Sequence, residues 1–296
     1  MRKAILIYNP LSGNRNVPRK LDYIIERFME NDIMLQPYRI CNNEQDKLLG
    51  ILKEEDYFAA VISGGDGTIN LVINAMLKDG INIPLGIIPS GTCNDFARSL
   101  NIPVDLKRCL DVILSGSTSD IDIGLINNEK YFFNTCAGGV FVDVSYNTSS
   151  ELKRNLGPLA YYLKGASEVA NARPLRLKIQ TDTEVLDQDF LLFVILNGKH
   201  AAGFSNINEA ADLSDGLMDI ILVKYCQNID LVGMFFKALS KDLLSDRNIV
   251  WVKTRKCIIE GPGDFALSVD GEKWNGLPIS VDFLNKKIKV FKNGLL

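Results

Sequence analysis

The residues best suited to chemistry sit in short polar loops that follow apolar runs. After Phe58–Ile62 comes Ser63-Gly64-Gly65-Asp66-Gly67-Thr68-Ile69-Asn70, with three glycines in four positions. Glycine lets a backbone approach a ligand closely and take up positive φ. A helix opening here offers free N–H groups and the positive end of its dipole, which suits a phosphate. Asp66 alone would repel that anion. It makes sense if Mg²⁺ lies between the two, or if the carboxylate orients a hydroxyl. A plain turn with a helix N-cap uses some of the same residue types. Glycines, Asp and Thr together at a strand-to-helix junction favour the phosphate reading.

Two further loops share this chemistry. Asn9-Pro10-Leu11-Ser12-Gly13-Asn14 closes the apolar run Ala4–Tyr8, and Ser90-Gly91-Thr92-Cys93-Asn94-Asp95-Phe96-Ala97-Arg98 follows Pro84–Pro89. The elements that must position these loops are legible in apolar spacing. Leu21, Ile24, Ile25 and Phe28 form one helical face, and Ile69, Val72, Ile73 and Met76 another. Leu48, Leu49 and Leu52 suggest a third helix, and Leu106, Leu110, Ile113 and Leu114 a fourth that stops at Gly116. A weaker strand spans Met34–Ile40. Strands alternating with helices predict an α/β domain with a mostly parallel sheet and helices on both faces. In such a sheet the ends Asn9–Gly13, Gly64–Thr68 and Gly91–Asp95 share one edge and can converge on one ligand.

The texture changes near Ile121. Asp122–Ile126 and Tyr131–Phe133 flank Asn127-Asn128 as a hairpin, and Pro158 opens a helix with Leu159, Tyr162 and Leu163 on one side. Strands then follow at Leu175–Ile179, Phe190–Leu196, Ile220–Val223, Lys256–Ile259, Phe265–Val269 and Ile279–Phe283. One helix, with Leu231, Met234, Phe235, Ala238 and Leu239, interrupts them. This is the rhythm of a β-sandwich or barrel. The expected division is an α/β domain over 1–125 and a mostly β C-terminal sandwich over 126–286, with 287–296 returning to the first domain.

Two acidic turns lie in the second half. Asp212-Leu213-Ser214-Asp215-Gly216-Leu217-Met218-Asp219 reads as an Asp-Gly hairpin turn, or as a hard-cation site using Asp215 and loop carbonyls. Val269-Asp270-Gly271-Glu272 is a second such turn. Glu272 acquires a chemical role only if it faces the phosphate loops, because phosphoryl transfer to a hydroxyl needs a proton acceptor.

Composition narrows the function classes. The 296 residues are 47% hydrophobic with a formal net charge of −3, and no basic block or stripe marks a nucleic-acid footprint. The six cysteines show no C-x-x-C pair, as expected of reduced, buried thiols in a cytoplasmic protein. With His200 the only histidine, the sequence argues against a histidine-based triad or zinc site. The chain enters a strand at once, so no secretory leader is expected. No apolar run is long enough to span a bilayer, so any membrane contact is peripheral.

Five motifs in order carry a family likeness: Asn9-Pro10-Leu11-Ser12-Gly13, Gly64-Gly65-Asp66-Gly67-Thr68, Gly91–Arg98, Asp215–Asp219 and Val269–Glu272. The set resembles the bacterial diacylglycerol-kinase-like lipid kinases, relatives of sphingosine kinase, over essentially the whole chain. The glycine loop alone also occurs in NAD kinases. The resemblance implies two domains with the active site between them, ATP on the first and lipid on the second. Asn9, Pro10, Leu11, Ser12, Gly13, Gly64, Gly65, Asp66, Gly67, Thr68, Ile69, Asn70 and Thr92 would then line the nucleotide. Glu272 would be the general base, with Asp66 and Asp95 serving the catalytic Mg²⁺. A structural Mg²⁺ would take the Asp215 carboxylate and the carbonyls of Asp212 and Leu217. Some relatives have a Thr near the nucleotide where this chain has Ile40 or Cys41. The implied activity is transfer of the ATP γ-phosphate to a lipid hydroxyl, most simply diacylglycerol to phosphatidic acid. Alternatives are another lipid, such as phosphatidylglycerol or a sphingoid base, or a non-catalytic nucleotide- or lipid-binding regulator. Expected partners are ATP, Mg²⁺, a lipid presented at the inner membrane surface and a second copy in a homodimer.

Overall fold

A computed structural model describes residues 1–12, 16–40, 45–140, 142, 173–200, 207–208, 211–227, 230–231, 233–234, 237, 242–263, 265–274 and 276–292. Gly13, Cys41 and the helix expected from Pro158 lie outside the described residues, as do Phe235, Ala238 and Leu239. The chain divides into two compact units, Met1–Ile121 with Lys286–Leu296, and Asp122–Asn285.

The first unit is an α/β layer structure. Its elements are β1 (Arg2–Tyr8), α1 (Asn16–Arg19), α2 (Leu21–Met29), β2 (Ile33–Arg39), α3 (Gln45–Glu54), β3 (Tyr57–Gly64), α4 (Asp66–Lys78), β4 (Leu85–Pro89), α5 (Asp95–Ser99) and α6 (Leu106–Leu114). The strands run in the order β4-β3-β1-β2, all parallel. Helices on both faces bury such strands completely, which explains their uninterrupted apolar runs. Ala4, Leu6, Ala59 and Val61 join Ile24 and Phe28 of α2 and Leu110 and Ile113 of α6 in one core. The alternate residues Ile5, Ile7, Ala60 and Ile62 are equally buried and face the other way. There α4 covers β3 and α3 packs on α4. Asp105 caps α6, its Oδ1 accepting from the Arg108 N–H at 3.0 Å.

The strand order fixes where a ligand can sit. From β1 the chain moves outward to β2, then returns to the opposite side of β1 for β3 and continues outward to β4. The order therefore reverses between β1 and β3. At the carboxyl ends of those two strands successive connections leave on opposite faces, and a crevice results.

The second unit is antiparallel. It contains β5 (Thr118–Ile126), which begins in the first unit, and β6 (Lys130–Phe132), β7 (Thr135–Gly139), β8 (Leu175–Thr181), β9 (Val185–Leu196) and β10 (Met218–Lys224). After a 3₁₀ turn at Leu243–Ser245 follow β11 (Ile249–Thr254), β12 (Lys256–Glu260), β13 (Leu267–Val269), β14 (Glu272–Trp274) and β15 (Ile279–Phe291). The first half of β9 pairs with β8, while its second half lies between β7 and β10. One long strand thus serves two sheets of a sandwich. Their inward residues, among them Phe132, Phe190, Phe193, Ile220 and Val281, form a single core. The Asn127-Asn128 hairpin has both central residues at positive φ, as type I′ turns require.

Three strands were not expected: β7 and β14, which carry few large apolar residues, and β11, whose apolar run Ile249–Val252 was overlooked. The expected strands at Ile279–Phe283 and Lys287–Phe291 are one element, β15, with Lys286 at φ 51 where they join. Its first half pairs with β12 and Val290 pairs with Leu85 of β4. Among the described residues no helix is long and apolar enough to cross a membrane.

Phe28 is wholly buried between α2 and the sheet. Phe28→Ala should therefore cost about 3–5 kcal/mol in urea unfolding, through lost burial and the cavity left behind.

Candidate functional site

At the carboxyl edge of the first unit's sheet, the three glycine- and hydroxyl-bearing loops meet. The backbone ties them first: the Asn9 N–H donates to the Ser63 carbonyl and the Ser90 N–H to the Gly64 carbonyl, each at 3.0 Å. Side chains then cross-link them. Asn9 Nδ2 donates to Thr68 Oγ1 at 3.2 Å, and Ser12 Oγ and Ser90 Oγ are 2.9 Å apart. Ser63 Oγ lies 3.5 Å from the same Ser90 hydroxyl. Ser63 and Ser90 were not singled out by sequence. Their signal was available, since each ends an apolar strand at the loop that follows.

The glycines here do different work. A Cβ on Gly91 would stand 2.5 Å from Gly65 Cα, and one on Gly64 would stand 2.4 Å from Thr68 Cβ. Glycine at 91 lets the β3 and β4 loops touch, and glycine at 64 makes room for Thr68 in the turn into α4. Gly67 is different: a Cβ there meets nothing within 4 Å. A glycine in the first turn of a 13-residue helix weakens the helix without any packing reason. The turn is open to an approaching ligand, and its N-cap, Gly65, supplies no side-chain hydrogen bond. The first N–H groups of α4 and its dipole end thus suit an anion.

Asp66 has a partner that spacing did not reveal. Its Oδ2 accepts from the Asp95 N–H and its Oδ1 from the Phe96 N–H, both at 3.2 Å. One carboxylate therefore sits against the first turns of both α4 and α5, where helix dipoles favour negative charge. Each oxygen keeps a second lone pair for a cation or a hydroxyl. Asp95 is buried beside it. These two carboxylates fit a Mg²⁺ that accompanies a nucleotide. Asn94, at φ 53, closes the turn by accepting from the Gly91 N–H at 2.7 Å.

Of the remaining expected nucleotide residues, Pro10 and Ser12 are half-buried, and Leu11 and Thr92 are exposed on the loops. Ile40 belongs to the same edge, its N–H donating to the Tyr8 carbonyl at 3.0 Å. Ile69 and Asn70 are fully buried on α4, and Asn70 accepts from Asn74 Nδ2 at 3.0 Å. Their side chains are enclosed by the protein, unlike those of Leu11 and Thr92.

In the second unit, Asp270 and Gly271 form a two-residue turn between paired Val269 and Glu272, both at positive φ. The buried Asp270 carboxylate accepts three backbone N–H groups, from Phe133, Asn134 and Thr135, at 2.9–3.0 Å. That anchorage fixes the start of β14. Glu272 is half exposed there, and its Oε2 accepts from Lys130 Nζ at 3.2 Å. Asp270 thus holds the turn while Lys130 restrains the carboxylate.

The acidic turn does not hold its groups as a metal site would. Asp212 Oδ1 accepts from the N–H and hydroxyl of Ser214, at 2.9 and 2.8 Å. Asp215 Oδ1 accepts from the Leu217 N–H at 2.9 Å, and its Oδ2 pairs with Lys253 Nζ at 2.8 Å. Asp122 Oδ2 accepts from the Gly216 N–H at 2.6 Å. The hydrogen bond to Asp215 raises the Lys253 pKa against the opposing effect of burial, and the charges of Asp219, Asp215 and Asp212 add to it. Among the described residues no cluster of His, Cys, Asp or Glu is arranged for a metal. The residues do not fit the expected structural Mg²⁺ at Asp212, Asp215 and Leu217, because an ammonium occupies the carboxylate that would bind it.

The first unit is a parallel sheet whose loops converge at its switch point, and the second is an antiparallel sandwich. Residues 3–126 match the family model of the diacylglycerol kinase catalytic domain, and residues 137–292 that of the YegS C-terminal NAD kinase beta sandwich-like domain. A diacylglycerol kinase of Staphylococcus carnosus (strain TM300) is 32% identical over 295 residues, covering 98% of this chain and 95% of its own. One of Staphylococcus aureus (strain bovine RF122 / ET3-1) is 33% identical, covering 98% and 92%. A crystal structure of a candidate diacylglycerol kinase from Bacillus anthracis str. Sterne superimposes with a TM-score of 0.84 at 26% identity, covering 99% and 96%. The chain belongs to the diacylglycerol kinase family. It is a lipid kinase, with ATP as donor and a lipid as acceptor.

The two kinds of glycine are separable by experiment. Gly91→Ala should destabilise the fold by about 1–3 kcal/mol through overpacking against Gly65. Gly67→Ala should leave it as stable or add up to about 1 kcal/mol from helix propensity, yet weaken ATP binding. Urea unfolding with ATP titration of each variant checks both.

Proposed function

We propose that this chain transfers the γ-phosphate of ATP to the hydroxyl of diacylglycerol, giving phosphatidic acid, and that the reaction requires Mg²⁺. The observation that carries the nucleotide half is the open first turn of α4, where Gly67 has no packing role. The acceptor is supported by the relatives, which are named diacylglycerol kinases along nearly the whole chain. Asn9, Pro10, Leu11, Ser12, Gly13, Gly64, Gly65, Gly67, Thr68 and Thr92 would contact the nucleotide, chiefly through backbone N–H groups and hydroxyls. Asp66 and Asp95 would hold the Mg²⁺ that neutralises the charge on the ATP phosphates. Glu272 would take the proton from the lipid hydroxyl. A carboxylate suits that task, because the chain's single histidine lies elsewhere in the sequence, at position 200.

A water-insoluble acceptor requires the enzyme to reach a bilayer. With a net charge of only −3, docking would be peripheral and reversible, at the cytoplasmic face. In this reading the chain works as a homodimer; a single-copy mass in light scattering removes that part.

The test is incubation with γ-labelled ATP and Mg²⁺ on mixed micelles of diacylglycerol, phosphatidylglycerol or sphingosine, followed by chromatography. Label in phosphatidic acid is expected; label confined to another lipid would reassign the acceptor. Given that activity, Glu272→Gln should keep ATP binding and the melting temperature but lower kcat about a hundredfold. A near-normal kcat in that variant sinks the assignment of Glu272 as base.

A further inference from the structure

The acidic turn of the second unit raises a separate question: what balances its charge? Asp212, Asp215 and Asp219 lie within eight residues, and the nearby Asp122 carboxylate is bonded to Gly216. The antiparallel register places Lys253 of β11 directly opposite Asp219 of β10. From the same face of β11, Trp251 Nε1 donates to Asp219 Oδ1 at 2.8 Å. Lys253 reaches past Asp219 to Asp215, and both members of the pair are about three-quarters buried, with side-chain exposures of 28% and 25%. An ion pair at that depth is screened less than a surface pair.

We propose that the Lys253 ammonium is the resident cation of this turn, and that the second unit holds the turn without a divalent metal. An ammonium offers one positive charge and three N–H donors. Mg²⁺ demands a near-octahedral set of oxygens and sheds its water reluctantly. One Asp215 oxygen accepts from the Leu217 N–H and the other carries the Lys253 ammonium at 2.8 Å, so a metal ion binding there would face a positive charge. A metal there would be repelled by a cation that is covalently part of the chain and cannot diffuse away. The catalytic need for MgATP is separate from this turn.

The experiment uses the full chain without nucleotide, stripped with chelator and then titrated with MgCl₂, and reads the melting temperature. Asp215→Asn reports how much of any Mg²⁺-induced shift belongs to the turn. The expected shift removed by that substitution is under about 1 °C. A shift of about 5 °C or more that Asp215→Asn abolishes would overturn the proposal, since saturating a real site stabilises by at least that much. Lys253→Met should melt lower than wild type and regain part of the loss with Mg²⁺, whereas Lys253→Arg should melt near wild type and ignore Mg²⁺. A Lys253→Met variant that melts like wild type would also overturn it. If Lys253→Met does not fold, the wild-type titration still decides.

Discussion

The reversal of strand order beside β1 is the constraint on which the nucleotide site depends. A parallel sheet forces each connection to cross over one face, and the change from β2 to β3 sends successive connections to opposite faces. Among the described residues the loops after β1, β3 and β4 meet at this edge. Those loops must come within bonding distance to close the structure, yet leave α4 with its first turn open. Glycine at 91 permits the contact with Gly65, glycine at 64 makes room for Thr68, and glycine at 67 leaves the turn clear. Asp66 completes the arrangement by accepting from the first turn of α5, so that two helix ends converge on one carboxylate.

The second unit solves a different problem. An antiparallel sandwich has tight turns, and each acidic turn here needs its charge answered. Asp270 is answered by three backbone N–H groups and Asp215 by Lys253. Neither Asp-Gly pair is an isolated surface turn. Both are points where a strand end is pinned to a segment distant in sequence. At Asp270 the pinned turn sets where Glu272 begins β14.

Burial also governs the cysteines. Desolvation pushes the Cys109 and Cys257 thiols up to about 12, and Cys136, wholly enclosed in the sandwich core, higher still. They behave as small apolar residues that fill the two cores. This agrees with chemistry carried by carboxylates, hydroxyls and backbone N–H groups.

The sequence by itself determined the elements and the edge of the sheet they present. Apolar spacing of 3.6 or 2 sets which face is buried, and glycine-rich loops after apolar runs mark strand ends, whatever the tertiary partners. Hence β1, β3, β4, α2, α4 and α6 were legible, as were the three loops. The short strands β7 and β14 were not, because they carry few large apolar residues and are held by the strands they pair with; β11 was overlooked although its apolar run Ile249–Val252 was a signal. The tertiary structure alone decided what each carboxylate holds. Asp66 bonds 29 residues away, Asp215 38 and Asp270 more than 130. Spacing along a chain carries no information about contacts at that range. An Asp in a turn looks the same whether it will meet a metal, an ammonium or a row of N–H groups. Only the register of β10 against β11 brought Lys253 to the acidic turn, and only the packing of α4 sent Ile69 and Asn70 into the core.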